Sequence, residues 1–185
     1  MKTEHKLAET LKQMMSVMPL DDISVTTLVK KCHVNRQTFY YHFHDIYDLL
    51  TLVFLDEHIP GIDDVKNMDE LMKCIFTYYQ KNKNFVDATN NSAAKDLFEE
   101  FIYNATYKTI LKIINEQKDS KKLHHNDRKL IARFYAQAYS HSIVYYLSTH
   151  KNKTLEGLLS CFAFESEDSF ANAVDRMCRI RGKEQ

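Results

Sequence analysis

The sequence predicts an all-α fold, and two observations support that prediction. The chain has 185 residues but only 3 glycines and 2 prolines, about 3% of its length against an average near 12%. Strand-and-turn architectures concentrate these residues in their turns. Apolar residues also recur at the three- and four-residue spacing that places them on one helix face. The length favours one domain, or a small module joined to a larger one.

Several functional classes are excluded by simple counts. Gly61, Gly157 and Gly182 lie far apart, so the chain has neither a P-loop nor a Rossmann fingerprint. The N-terminus alternates charges without an apolar segment, and no stretch approaches the ~18–20 apolar residues of a membrane span. The four cysteines include no CxxC pair, so neither a zinc ribbon nor a disulfide framework is expected. Reduced thiols favour the cytoplasm.

The first sixty residues show the periodicity of four short helices. Leu7, Leu11, Met14 and Met18 predict the first, over residues 4–18, and Pro19 stops it. The others are expected at about 25–32 with Ser24 as N-cap, at about 36–43 with Asn35 as N-cap, and from near Asp45 to Pro60-Gly61. This Pro-Gly pair is the best candidate boundary.

Longer helices are expected beyond residue 61. Asp69 is the predicted cap of the first, and polar residues 82–92 are predicted to form a loop after it. A second polar break is expected at 118–126. The remaining helices are predicted over residues 93–117, 127–149, 154–163 and 167–181.

The second and third helices are separated only by the residues CHVN, a spacing typical of a helix-turn-helix. In that motif the second helix enters the DNA major groove. Ser24 to His44 contains Lys30, Lys31 and Arg36 but no acidic residue, in a chain with 25 basic and 25 acidic residues. This local positive charge favours contact with phosphates.

Helical geometry indicates which side of the third helix faces outward. If Phe39 and Phe43 define the buried direction, Gln37 and Tyr41 point roughly away from it. Arg36 and Gln37 occupy the first turn, the part of a recognition helix that enters the groove. Tyr40 and Tyr41 are equally compatible with a packing role.

The chemistry of this first turn suits base and phosphate contacts. Arg36 has the geometry to bond guanine bidentately, Gln37 to bond adenine, and the Thr38 methyl group to contact thymine. Asn35 and the free N–H groups at the helix start are suited to hold a phosphate. The residues alone leave DNA binding and an ordinary polar helix face as alternatives.

Residues 23–50 resemble the DNA-binding domain of TetR-family transcriptional regulators. The matching positions are Ile23, Val25, Leu28, Val34, Asn35, Thr38, Phe39, Tyr40, His42, Phe43, Leu49 and Leu50. The resemblance implies a three-helix DNA-binding domain over residues 1–50 and a helical ligand-binding and dimerisation domain over 51–185. It places DNA contacts on Thr26, Arg36, Gln37, Thr38, Tyr40, Tyr41 and His42.

Two positions depart from the family pattern. His33 stands where the family usually has the glycine of the turn, a position that tends to need a positive φ. Ile46 stands where a phosphate-contacting lysine is common, and Tyr47 or His44 is the expected replacement. The segment RQTFYYHF followed by D-x-Y-D-L further resembles the family branch of dihydroxyacetone kinase regulators.

For the C-terminal helices, the resemblance implies a homodimer that pairs residues 127–149 and 167–181 of each subunit. Two-fold symmetry would place the recognition helices ~34–36 Å apart on a near-palindromic operator. A small molecule or a protein partner at this domain would switch the regulator. Candidate pocket residues are Tyr79, Phe98, Phe101, Tyr107, Phe134, Tyr135, Tyr139, His141 and Tyr145. A packed core without a cavity is the alternative, with a protein partner as inducer.

Other functional classes find little support in the sequence. The pairs His42-x-His44 and His124-His125 lack further ligands at a recognisable spacing, so no metal is expected. No nucleophile–base spacing, paired catalytic carboxylates or glycine loop indicates an enzyme or a cofactor. The remaining alternative is a helical protein–protein adaptor whose helix-turn-helix does not read DNA. The sequence therefore predicts a cytoplasmic bacterial regulator that binds double-stranded DNA and no membrane.

Overall fold

In the computed structural model of the chain, residues 3–165 and 168–182 are described. They form α-helices and short 3-10 turns without any strand, which confirms the all-α prediction. The helices are α1 (Thr3–Met15), α2 (Val25–Cys32), α3 (Arg36–His42), α4 (Ile46–Asp56), α5 (Met68–Lys81), α6 (Lys83–Asn90), α7 (Lys95–Glu116), α8 (His125–Thr149), α9 (Leu155–Ser160) and α10 (Ser169–Arg181). The 3-10 turns are Leu20–Asp22, Ile62–Asp64 and Ser120–Lys122. The predicted bounds at residues 1, 167 and 185 lie outside the described residues.

The chain divides into two compact units. The first comprises the residues up to His58 together with Tyr78–Phe101, and the second comprises Ile59–Thr77 and the residues from Ile102 onward. These two units are defined by contacts within the chain. The predicted division into a DNA-binding domain, residues 1–50, and a ligand-binding and dimerisation domain, residues 51–185, concerns function and stays a prediction.

The first unit packs α1 to α4 around a small apolar core. Leu7, Leu28, Phe39 and Leu49, one from each of these helices, are completely buried. A second layer of aromatic rings surrounds Phe54 at the end of α4, where the ring of Phe85 in α6 lies 5.3 Å away between centroids. This layer also holds Phe98 and Phe101 from the start of α7.

The second unit contains the long helix α8 and the helices that pack on it. Its completely buried side chains include Ile114 of α7, Ile143 and Leu147 of α8 and Leu158 of α9. Asp127 at the start of α8 is also buried, and it accepts hydrogen bonds from Arg181 at the end of α10, with an Nη2–Oδ1 distance of 2.7 Å. This charge pair joins residues that are 54 positions apart.

The predicted loop over residues 82–92 is wrong, because Lys83–Asn90 form α6. Its asparagines favour turns over helices. Burial of Phe85, Val86 and Thr89 on one side of the helix outweighs that preference. The Thr89 hydroxyl also donates to the carbonyl of Phe85, which satisfies it inside the core at 3.0 Å.

The predicted cap of α5 is also wrong. The helix begins at Met68, and Asp69 lies in its first turn instead of capping it. The Asn67 side chain accepts a hydrogen bond from the Glu70 backbone at 2.9 Å. The Glu70 carboxylate in turn accepts from the Lys66 backbone at 2.8 Å, so these reciprocal bonds fix the start of the helix.

The turn between α8 and α9 depends on a buried tyrosine. The Tyr146 hydroxyl accepts from the backbone nitrogen of Thr154 at 3.0 Å and donates to the carbonyl of that residue at 3.1 Å. A Cβ atom at Gly157 would overlap the Tyr146 hydroxyl oxygen. A larger residue at position 157 therefore requires the Tyr146 side chain to move out of this space.

Candidate nucleic-acid interface

Local hydrogen bonds define both ends of α2. The Ser24 hydroxyl accepts from the Thr27 backbone at 3.1 Å, and the Thr27 hydroxyl accepts from the Ser24 backbone at 3.1 Å, forming a capping box. At the other end, His33 has φ 54° and ψ 42° and is the only non-glycine residue with a positive φ in the described chain. The prediction that this turn needs a positive φ is confirmed.

The N-cap of α3 is Asn35, as predicted. Its Oδ1 accepts from the backbone nitrogen of Thr38 at 2.7 Å and from the Thr38 hydroxyl at 2.9 Å. Phe39 and Phe43 are buried, whereas Arg36 and Gln37 are exposed. The first turn of α3 therefore presents its polar side chains to solvent, with the cap oxygen already occupied by the helix.

The tyrosines of α3 lie on its exposed side. Tyr41 is 84% exposed and Tyr40 is 50% exposed. The Arg36 guanidinium lies 5.8 Å from the centroid of the Tyr40 ring, and its Nη2 donates to the Tyr40 hydroxyl at 3.3 Å. This contact holds the Arg36 side chain along the helix. The two residues are four positions apart, a spacing at which side chains on a helix are neighbours.

The two histidines behave differently. The His42 ring nitrogen Nδ1 lies 3.0 Å from Oε1 of Glu4 in α1, and only about a quarter of the His42 side chain is exposed. His44 is exposed, and its backbone nitrogen donates to Asp48 at 3.0 Å. Glu4 was missed by the sequence reasoning, since a contact between residues 38 positions apart leaves no local signal.

The remaining predicted contact residues lie near the edges of the motif. Thr26 is half-buried in the first turn of α2. The Tyr47 hydroxyl donates to Asp21 at 3.4 Å, and burial together with the charge of Asp21 raises the pKa of Tyr47. Ile46 is buried and faces the core, so Tyr47 and His44 are the polar residues available at this position.

The charge pattern of the motif survives folding. Lys30, Lys31 and Arg36 are all exposed. The acidic residues that follow are engaged in backbone contacts: Asp45 accepts from the Asp48 backbone at 2.8 Å, and Asp48 accepts from His44. The surface of residues 24–44 consequently carries three exposed cations, the arrangement that a phosphate backbone attracts.

The nine predicted pocket residues are divided between the two units. Three belong to the first unit, where Tyr79 and Phe98 are buried and Phe101 is half-buried. The other six belong to the second unit, where their surroundings differ. Tyr107 stacks on Tyr103, Tyr139 is buried, and the exposed members are Phe134, His141 and Tyr145. Their role in ligand binding stays a prediction.

An apolar groove runs between α8 and α10. It has a volume of about 650 Å³, and its lining includes Leu130, Phe134 and Tyr135 of α8 together with Met177 and Ile180 of α10. Phe134 is 69% exposed. The two helices predicted to form the dimer interface thus present an apolar surface to solvent.

Within 3–165 and 168–182, no three His, Cys, Asp or Glu side chains are grouped as a metal site. None of the helices in these ranges has the length and apolarity to cross a membrane.

Comparison with known proteins identifies the family. Residues 66–160 match the family of the TetR-type transcriptional regulator C-terminal region, a match that covers just over half of the 185 residues. A solved structure titled "Dihydroxyacetone kinase operon activator DhaS" is similar in fold, with a TM-score of 0.59 and 20% sequence identity. The alignment covers 96% of this chain and 97% of that one. No curated protein matches this chain in sequence. The chain belongs to the TetR family of transcriptional regulators.

Proposed function

We propose that this protein regulates transcription by binding a near-palindromic operator as a homodimer, with α3 as the recognition helix. The observation that carries this proposal is the exposed first turn of α3, where Arg36 and Gln37 are open to solvent on a helix anchored by the buried Phe39. Family membership supports DNA as the partner. The protein has no catalytic role in this proposal and acts in the cytoplasm of a bacterium.

Each exposed side chain of the motif has a defined task. Arg36 and Gln37 read base edges in the major groove, and Thr38 contacts a thymine methyl group. Tyr40 and Tyr41 contact the sugar–phosphate backbone beside them. Lys30 and Lys31 add positive charge at the end of α2. Further contacts with phosphates and sugars are made by Thr26, Asn35, His42, His44 and Tyr47.

The homodimer in this proposal forms through α8 and α10. Leu130, Phe134 and Tyr145 recur along α8 and are each more than half exposed, as is Ile180 of α10. Large apolar side chains exposed in this way are typical of protein interfaces. A two-fold axis through this surface brings the same side chains of both copies together, as a closed homodimer requires.

A small molecule or a protein partner at the C-terminal domain switches DNA affinity in this proposal. The segment from Arg36 to Phe43, followed by Asp45, Tyr47 and Leu49, supports the dihydroxyacetone kinase regulator branch of the family. The similarity in fold to a protein titled as an operon activator of that kind adds support at the level of architecture.

A gel shift on DNA from upstream of the gene and its neighbours tests the proposal, with a random duplex as competitor. We expect a specific shift that weakens steeply as the salt concentration rises, because phosphate contacts release counterions. The double variant Arg36→Ala/Gln37→Ala should lower operator affinity by about 10²-fold or more, since each bidentate base contact contributes ~1–3 kcal/mol.

The double variant Gln80→Ala/Lys81→Ala is the matched control, because it removes one amide and one cation from exposed positions of α5 outside the motif. It should bind like the unmodified protein. Unchanged operator affinity in the Arg36/Gln37 variant would refute the assignment of α3. The absence of any specific shift would favour the protein–protein adaptor.

A further inference from the structure

A second cavity lies within the second unit, apart from the groove between α8 and α10. Its volume is about 580 Å³, within the ~300–1,000 Å³ range of small-molecule sites. The start of α5, the end of α7, the middle of α8, the segment from α9 to Glu165 and the start of α10 all contribute to its lining. Five segments that are distant in sequence thus line one space.

One wall of this cavity is aromatic. The rings of Tyr139 and Phe162 stack with centroids 4.8 Å apart and an angle of 29° between their planes. Phe170 and Met72 are buried beside the same cavity. Flat apolar surfaces of this kind favour a planar apolar group over a bulky branched one.

Tyr139 also brings a hydroxyl group to this cavity. Its side chain is only 5% exposed, and it forms part of the cavity lining. Two other buried tyrosines use their hydroxyls within the fold: Tyr78 donates to Glu57 at 2.7 Å, and Tyr146 donates to Thr154 at 3.1 Å. The Tyr139 hydroxyl therefore offers a ligand in the cavity a hydrogen-bonding group beside an aromatic wall.

The cavity lining also offers hydrogen-bond acceptors. Glu165 is partly buried and forms no ion pair with a cation in the described part of the chain, and burial raises the pKa of its carboxyl group. The amide nitrogen of Gln117 donates to the carbonyl of Ile113 at 3.3 Å, and its amide oxygen is a further acceptor. The lining lysines, Lys66 and Lys73, are exposed. The acceptor oxygens of Glu165 and Gln117 suit a ligand that donates.

Glu165 differs from the other glutamate of this cavity. The two oxygens of Glu70 accept from the Lys66 backbone and from the Asn67 side chain at 2.8 and 3.1 Å, so they are used by the start of α5. Within residues 3–165 and 168–182, the Ser169 hydroxyl is the side-chain hydrogen-bond partner of Glu165. Its remaining capacity is available to a cationic donor.

We propose that this cavity binds a planar organic amine, whose ring system lies against Tyr139 and Phe162 and whose ammonium group donates to Glu165. The ring faces add cation–π attraction for the ammonium group. The hydroxyl of Tyr139 accepts a second hydrogen bond from it. This proposal rests on the proposed function for its role, because the amine would be the effector of the regulator.

Three naphthalene probes that differ only in their head group test the site: 2-naphthylmethylamine, 2-naphthalenemethanol and 2-naphthoate. Binding is measured as a rise in the fluorescence anisotropy of the naphthalene probe. The chain has no tryptophan, so tyrosine is the main source of background fluorescence from the protein. We expect the amine to bind about tenfold or more tighter than either other probe, as a charge-assisted hydrogen bond predicts.

Two variants locate the effect, and circular dichroism checks their fold. Glu165→Gln should abolish the preference for the amine, and Tyr139→Phe should weaken the amine about three- to tenfold while keeping the ring. Glu156→Gln is the matched control, since Glu156 is exposed on α9 and does not line the cavity. Equal binding of the three probes, no binding of the amine, or an unchanged preference in Glu165→Gln would overturn the proposal.

The titration contains no DNA, so it separates this proposal from the proposed function. Selective amine binding by a protein that shifts no operator would retain the site and reject the regulator. A specific operator shift without selective amine binding would retain the regulator and reject the site.

Discussion

The proposed recognition helix α3 and the long helix α8 both expose aromatic side chains, but different interactions orient them. The direction of α3 is determined within a short segment, by the capping box at Ser24, the left-handed turn at His33 and the cap at Asn35. The direction of α8 depends on distant partners, such as Phe170, whose ring meets Tyr135 at 4.9 Å. Local hydrogen bonds therefore define the surface of the first helix, and tertiary packing defines that of the second.

The largest effect we expect is a difference in stability between variants on the buried and the exposed side of α3. Phe39→Ala should lower the free energy of unfolding by about 3–5 kcal/mol, because the ring is completely buried and its removal leaves a cavity. Tyr41→Ala should change it by no more than about 0.5 kcal/mol, because the side chain is exposed. Urea denaturation followed by circular dichroism measures both.

Tyr41→Ala should affect DNA binding instead of stability. Tyr41→Ala retains its fold and should lose operator affinity, which the gel shift detects. Similar stability losses for the two variants would contradict the division of α3 into a buried and a reading side.

A smaller effect is expected where α8 depends on a distant charge. The hydrogen bonds and charge of Arg181 lower the pKa of the Asp127 carboxyl group. A carboxyl whose pKa is lower in the folded state stabilises the fold above its unfolded pKa, near ~3.9. This stabilisation is lost as the pH falls through the lower, folded value. Asp127→Asn should therefore flatten the decline in thermal stability between about pH 5 and pH 2.

Asp64→Asn is the control for this measurement, since Asp64 is exposed in a 3-10 turn of the same unit. Its pH profile should follow that of the unmodified protein. Parallel profiles for Asp127→Asn and the unmodified protein would show that the pair with Arg181 does not stabilise α8.

The smallest effect concerns the turn before α3. His33→Gly should raise the free energy of unfolding by a few tenths to about 1 kcal/mol, because glycine adopts the left-handed conformation without strain. The gain is limited, since glycine also gives the unfolded chain more conformational entropy. His33→Val should lower it by about 1–2 kcal/mol, since a β-branched residue is unfavourable at this φ of 54°. Melting temperatures compare the three proteins, and a more stable valine variant would contradict the strain argument.

The parts of the fold that were predictable are those encoded locally. Ser24 and Asn35 were recognisable as caps because each acts on a backbone group three residues away. The bounds of α2 and the left-handed turn at His33 followed from the same short segment. The exposed side of α3 was likewise predictable from the spacing of Phe39 and Phe43.

The parts that were not predictable depend on contacts between distant residues. The asparagine-rich segment containing α6 has the composition of a loop, and only the burial of Phe85 and Val86 makes it helical. The contact between His42 and Glu4 joins α3 to α1 across 38 positions. The cavity beside Tyr139 was equally hidden, because Phe162 and Glu165 are brought to it by the fold, not by a shared motif.

Gly157 and Tyr146 carry a consequence for the divergence of this protein. Position 157 has no room for a Cβ because the Tyr146 hydroxyl occupies that space and is held there by both backbone groups of Thr154. A larger side chain at position 157 therefore displaces the Tyr146 hydroxyl and breaks its two hydrogen bonds to Thr154. We therefore expect substitutions at positions 146 and 157 to be coupled during divergence.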